Sequence, residues 1–226
     1  MDSIRITLLD PKEPLTTAWQ KHINEKLEPA DRAKFSIVHG YLKDTKGPFD
    51  CIVSPANSYG IMDGAADLVI SRLFAEESIE AVIAHVQGEL YKEFNGYQPT
   101  GTSHLIPMHA FPEPTYNLKY IAHTPTMRTP QMITWDKEVI YKCFWSLLVK
   151  LHQHNLTNEK DQIQTVVCFG LGTGVGGIPV DVCATQMVLA YKHFVEGLRR
   201  GGVGLTWRDA YDLEKEIEET CKGLKP

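Results

Sequence analysis

The sequence has no block or stripe of basic residues, no C-x-x-C spacing, no N-terminal signal core and no apolar run long enough to cross a bilayer. Each absence removes a class of function. Lys and Arg number 23 against 28 Asp and Glu, well mixed, for a net charge of −5. Nucleic acid is therefore not expected as the main partner. The five cysteines, Cys51, Cys143, Cys168, Cys183 and Cys221, are scattered and odd in number. That argues against a disulfide framework or a zinc ribbon and for buried free thiols in a reducing compartment. The start, Met1-Asp2-Ser3-Ile4-Arg5, carries no secretory pattern. The chain reads as soluble and intracellular, cytoplasmic or nuclear, with no membrane partner, no metal and no cofactor expected. No internal repeat, low-complexity tract or long linker divides it. With 226 residues, 43% of them hydrophobic, it can fill a full-sized core, and one α/β domain is the economical organisation.

What is present alternates between strand and helix patterns. Ile4 to Leu9 reads as a strand closed by Asp10-Pro11, and Pro14 to Leu27 as a helix with Leu15, Trp19 and Ile23 on one face. Phe35 to His39 and Cys51 to Ser54 are further strands. From Ala66 to about Glu93 apolar residues recur at helical spacing, as one long helix or as two parted at Glu76-Glu77-Ser78. His104 to Phe111 and Tyr120 to His123 read as a strand pair joined by the polar loop from Pro112 to Leu118. Trp135 to His154 is an amphipathic helix and Gln164 to Gly170 an apolar strand. Pro179 at the first helical position opens a helix that runs to about Arg200. Gly204 to Trp207 suggests a short last strand, and Asp209 to Lys222 a highly charged, solvated helix.

Two loops carry the chemistry. The strand Cys51–Ser54 runs into a loop whose Asn57, Ser58, Gly60, Asp63, Gly64 and Ala65 are candidate ligand contacts, with Asn57 and Asp67 as candidate catalytic residues. Open α/β sheets bind ligands at such an edge, where strands stop and helices start. Asn57 and Asp67 lie ten residues apart, one at the strand end and one at the helix start, so the loop can bring both to one sugar. Asp67 has a plainer reading as a charge that complements the helix dipole. The second loop, Gly170 to Gly177, holds five glycines in eight residues between a strand and a helix. Backbone N–H groups there suit phosphate, and the alternative is a tight turn with no ligand. Gly172, Gly174 and Gly177 also fit G-x-G-x-x-G, but the acidic residue a dinucleotide fold places about 20 residues on is missing. Other candidates are weaker. His152 and His154 are two apart on a helix and do not share a face. His123 reads as a hydrogen-bonded core residue and Cys168 as a buried, inert thiol. Ser54 and Ser58 have no G-x-S-x-G elbow around them.

Together the two loops resemble those of the macrodomain family. Ser54-Pro55-Ala56-Asn57 followed by Met62 to Asp67 is similar to that family's N-A-A-N, glycine tract and V-D. Gly172-Thr173-Gly174-Val175-Gly176-Gly177-Ile178-Pro179 resembles its S-T-G-V-Y-G-F-P, and Tyr120-Ile121-Ala122-His123-Thr124 its central strand. The likeness covers about residues 34–200, with 1–33 as an N-terminal strand and helix extension and 201–226 as a C-terminal strand and helix. It most resembles a fungal branch described as ADP-ribose 1″-phosphate phosphatases. The resemblance implies a three-layer α/β/α fold with a mixed sheet of about six strands. It implies binding of ADP-ribose or a close derivative, with ADP-ribosylated protein as a further partner. It also implies hydrolysis of ADP-ribose 1″-phosphate or ADP-ribosyl groups; a non-catalytic reader and a diverged scaffold are the alternatives. By the same resemblance Asn57 would contact the distal ribose and Asp67 would position a water or the substrate. Thr173, Gly174, Val175 and Gly176 would line the diphosphate beside Gly172. Four departures stand out. Tyr41 falls where the family has the acidic residue that reads the adenine amino group, Asp63 and Ala65 interrupt the glycine tract, and Gly176 replaces an aromatic residue.

Overall fold

The computed structural model describes residues 4–112, 115–222 and 224. The opening Met1-Asp2-Ser3 and the Glu113-Pro114 part of the polar loop lie outside the described residues. In chain order the elements are β1 (Arg5–Asp10), α1 (Glu13–Lys26), α2 (Pro29–Arg32), β2 (Phe35–His39), β3 (Cys51–Ser54), α3 (Ala65–Phe74), α4 (Ile79–Phe94), β4 (His104–Pro107), β5 (Tyr120–His123), α5 (Val139–Thr157), β6 (Thr165–Phe169), α6 (Val180–Arg199) and α7 (Trp207–Thr220). The strands form one sheet in the order β2-β1-β6-β3-β5-β4. Every neighbouring pair is parallel except β4 with β5.

The apolar runs of these strands follow from burial on both faces. Side chains alternate across a strand, so neighbours in sequence enter different cores. Ile6, Leu8, Cys51, Val53, Val166 and Cys168 join one core with residues of α1, α5 and α6. Leu9, Ile52, Ile121 and Val167 face the other, against Ile70 and Phe74 of α3 and Val82, Val86 and Leu90 of α4. This is the three-layer α/β/α arrangement with a mixed six-stranded sheet. Because β1, β2, β3, β5 and β6 run the same way, their C-terminal ends share one edge, and the loops that leave them meet there.

Several boundaries differ from the sequence reading. No strand forms at Gly204–Trp207. Val203 and Leu205 are exposed, and the Thr206 hydroxyl accepts the Asp209 N–H at 3.3 Å, which starts α7 instead. Pro179 is the cap of α6 with extended ψ (141°) and not its first helical residue. The helix read from Trp135 begins at Val139, after a turn in which the Asp136 N–H reaches Ile133 O at 3.0 Å. The strand read to Phe111 stops at Pro107: Met108 N–H still reaches Lys119 O at 2.8 Å, and the chain then turns, with Phe111 N–H on Met108 O at 3.0 Å. The segment 66–93 is two helices, parted at residues 75–78. His123 is a core residue: its Nδ1–H donates to Gln98 Oε1 at 2.6 Å, and burial pushes its pKa down to about 3. Cys168 is fully buried, and burial drives its thiol well above the usual range.

Candidate functional site

A cavity of about 890 Å³ opens at the shared C-terminal edge of the parallel strands. Its walls come from four segments: 10–12 after β1, 40–43 after β2, 55–73 after β3, and 169–176 after β6, with Thr126, Met127 and Pro130 from the loop after β5. Of the residues singled out from sequence, Tyr41, Asn57, Asp63, Gly64, Ala65, Asp67, Gly172, Thr173, Gly174, Val175 and Gly176 line it. Ser58 and Gly60 do not. Ser58 is fully buried, with its N–H on Met127 O at 3.0 Å. Gly60 has φ +66°, and a Cβ there would come within 3.0 Å of Leu90 and Val86 side chains. Both residues hold the loop in place from behind.

Asn57 works on its own loop. Its Oδ1 accepts the N–H groups of Tyr59 at 3.0 Å and Ile61 at 3.3 Å, and its Nδ2 donates to Ile61 O at 2.7 Å. An amide nitrogen carries two hydrogens, so one donor remains for a ligand. The loop then closes onto α3 with Ala65 at φ +49°, a left-handed position that costs an alanine roughly 1–2 kcal/mol. The glycine tract of the resemblance is interrupted at a position where the backbone conformation itself favours glycine.

Asp67 sits in the first turn of α3, is 8% exposed, and accepts the Ser54 hydroxyl at 2.5 Å through Oδ1. Burial raises its pKa to about 7; the Ser54 hydrogen bond pulls it down, and the Asp63 charge pushes it further up. Its place in the first turn of α3 is also the one where a carboxylate complements the helix dipole. Asp67 is a cavity-lining carboxyl poised between its two protonation states near neutrality.

The glycine loop builds the opposite wall. Gly172 and Gly177 take positive φ, and Ile178 N–H reaches back to Gly172 O at 3.1 Å. Among the described residues, no hydrogen bond uses the N–H groups of Thr173, Gly174, Val175 or Gly176. Such a run of open donors is of the kind that suits an anion. A Cβ at Gly174 would meet nothing within 4 Å. At Gly176 it would lie 2.6 Å from Gly172 O and 2.9 Å from Ile133, so the space an aromatic residue would need is taken by Ile133.

The cavity's charges are mixed: Asp10, Asp63 and Asp67 against Lys12 and Lys43. One end is aromatic and apolar, with Tyr41, Leu42, Tyr116 and Phe169; Tyr41 is 62% exposed and Lys43 lies 5.9 Å from its ring centre. Sequence reasoning missed Asp10, Lys12 and Phe169. The available signal was their place at the C-terminal ends of strands, where every residue of a parallel sheet is a site candidate. Among the described residues, no group of three or more His, Cys, Asp or Glu is placed to hold a metal, and no helix is long and apolar enough to cross a membrane.

With this geometry in hand, the chain can be set beside known proteins. The family model described as Macro-like domain matches residues 1–198. An uncharacterized protein of Aquifex aeolicus is 30% identical over 145 residues, 64% of this chain and 74% of that protein. The Oceanobacillus iheyensis macrodomain, solved with ADP, superimposes with a TM-score of 0.50 at 19% identity, over 78% of this chain and 87% of its own. A Trypanosoma brucei macrodomain in complex with ADP-ribose aligns at 22% identity and TM-score 0.44, over 79% of this chain and 67% of that one.

Proposed function

We propose, from the premise that this chain belongs to the Macro-like domain family, that its cavity binds ADP-ribose or a close derivative. The observation that carries this is a pair of donor segments lining one cavity: the open N–H groups of residues 173–176 and the first turn of α3 beyond Gly64. Two such segments on one cavity suit a diphosphate. The aromatic end at Tyr41 and Phe169 suits a nucleoside, and the end at Asn57, Met127 and Pro130 suits the second sugar. A macrodomain of the same fold has been solved with ADP, a ligand with the same diphosphate and nucleoside. Calorimetric titration with ADP-ribose tests the reading: a saturable one-to-one isotherm supports it, and no binding at millimolar ligand removes it.

Asp67 favours a second step beyond binding. A buried carboxyl titrating near neutrality, beside the place for the distal ribose, can accept a proton from water as that water attacks the phosphorus or acyl carbon on the anomeric oxygen, and can return a proton to that oxygen as its bond breaks. In this reading the protein hydrolyses ADP-ribose 1″-phosphate or an ADP-ribosyl ester. Asn57 donates to the sugar, and Ser54 holds Asp67 in position. Single-turnover assays with both substrates separate this enzyme from a protein that only reads ADP-ribose. ADP-ribosylated protein is the macromolecular partner that fits the same cavity.

A further inference from the structure

We propose that Arg128 and the apolar rim beside it hold an acidic stretch of polypeptide, so that the protein engages an ADP-ribosyl group together with the carboxylate-bearing chain that carries it. This rests on the reading of the cavity as an ADP-ribose site with the distal sugar beside Asn57. A group attached to that sugar leaves the cavity at the end formed by Asn57, Met127 and Pro130. Backbone pairing sets Arg128 next to this exit. Asn57 bridges to Met127, and the Ser58 N–H donates to Met127 O at 3.0 Å and to Arg128 O at 3.2 Å.

The Arg128 side chain is pinned, yet most of its donors are open. Its Nε–H donates to the Tyr59 hydroxyl at 2.9 Å. Its guanidinium carbon lies 6.0 Å from the Tyr59 ring centre and 5.4 Å from that of Tyr97. The Gln98 N–H donates to Ser58 O at 3.0 Å, which ties the turn carrying Tyr97 to the loop carrying Asn57 and Tyr59. A guanidinium stacked in this way loses less freedom when it takes a partner. Among the described residues, the groups that act on it are the two tyrosines, and no carboxylate pairs with it. The chain carries 28 Asp and Glu against 23 Lys and Arg, so an arginine left without one of them stands apart. The planar fork of its two Nη groups matches a carboxylate in bidentate fashion. Arg128 is not part of the cavity wall, so the partner it suits extends beyond the distal sugar. The rim between them is apolar: Ile61 and Val175 line the cavity and are still 43% and 55% exposed, and Pro130 is exposed beside them. Tyr59 is two residues from Asn57, at most about 7 Å along the chain. A carboxylate two or three residues from the modified side chain, roughly 7–10 Å away in an extended peptide, reaches the fork.

The test uses two synthetic peptides with one ADP-ribosyl group on a glutamine amide nitrogen, a linkage that stands in for the ester and survives the measurement. One has glutamates two and three residues to either side, the other glutamines. Their affinities, with those of ADP-ribose and ADP-ribose 1″-phosphate, are measured for wild type, Arg128→Ala and Tyr59→Phe. Wild type should bind the acidic peptide about fivefold tighter than the neutral one, and added salt should shrink the ratio. In Arg128→Ala the ratio should fall to within about 1.5-fold while ADP-ribose affinity is unchanged. Tyr59→Phe keeps the charge but loses the hydroxyl that pins it, and should give an intermediate ratio. Equal binding of both peptides by wild type, or an unchanged ratio in Arg128→Ala, would overturn the proposal. So would an equal loss of ADP-ribose and both peptides in the folded variant, which would mark Arg128 as a brace for the loop. A loss confined to ADP-ribose 1″-phosphate would assign the arginine to a small phosphate and also overturn it. Arg128-dependent binding of the unmodified acidic peptide without any binding of ADP-ribose would leave this surface standing and remove the wider functional reading; no binding of any of these ligands would remove both.

Discussion

Gly174→Glu separates the site from the fold. Nothing lies within 4 Å of the Cβ that position 174 would carry, and the residue is outside the left-handed region. The variant should therefore fold with unchanged stability. Its carboxylate would enter the space in front of the open N–H groups of residues 173–176. Against two phosphate charges roughly 5 Å away, the repulsion is about 1.7 kcal/mol in a water-like medium and about 7 kcal/mol at an effective dielectric of ~20. The smaller value already lowers affinity by about 15- to 20-fold. Gly174→Ala adds a methyl without charge and should change affinity by less than about threefold. The assay is calorimetry with ADP-ribose, paired with thermal denaturation of each variant. Full affinity in a folded Gly174→Glu protein would refute the placement of the diphosphate against this loop.

Further outcomes follow from the same geometry. Gly176→Ala should destabilise the protein by about 1–3 kcal/mol in denaturant titration, because its Cβ would press on Gly172 O and Ile133. Asp63→Gly should tighten ADP-ribose binding by about tenfold, the effect of about 1.4 kcal/mol of relieved repulsion; weaker binding would make Asp63 a ligand contact. Burial lifts the Asp67 pKa to about 7 in the folded protein, well above the ordinary carboxylate range, so the folded protein keeps a proton that the unfolded chain has lost. Stability should fall as pH rises from about 4 to about 7, by roughly 4 kcal/mol at most, and Asp67→Asn should lose that slope. An anionic ligand favours the protonated form, so affinity should rise from pH 8 to pH 6, and this trend should flatten in Asp67→Asn. If the protein hydrolyses either substrate, Asp67→Ala should lower turnover by about 10²- to 10⁴-fold with little effect on binding, while Asn57→Ala should lower both.

The strands and helices were legible where pattern and burial agree. Cys51–Ser54 and Tyr120–His123 are buried on both faces, so their apolar runs are unambiguous, and Glu76-Glu77-Ser78 marks the helix break. The short strand expected at Gly204 failed because local apolar residues do not make a strand without a partner edge, and the Thr206 cap offered a better local solution. Both site loops were legible because glycines and the strand-to-helix transition are local signals. Ser58 and Gly60 were read as ligand contacts because sequence shows which residues a loop contains and not which side of it they face. Asp10 was missed for a related reason. It looked like the close of the first strand, and only the insertion of β1 between β2 and β6 brings it to the cavity. The pKa of Asp67 was equally invisible, since it depends on enclosure and on the Ser54 hydroxyl.

A crystal structure of the ADP-ribose complex tests the central claim most directly. The account predicts the diphosphate against the backbone N–H groups of Thr173 to Gly176 and across from the start of α3, with the base at the Tyr41 and Phe169 end and the distal ribose beside Asn57 and Asp67. A ligand bound elsewhere on the molecule, or the reverse orientation with the base at Asn57, would contradict it.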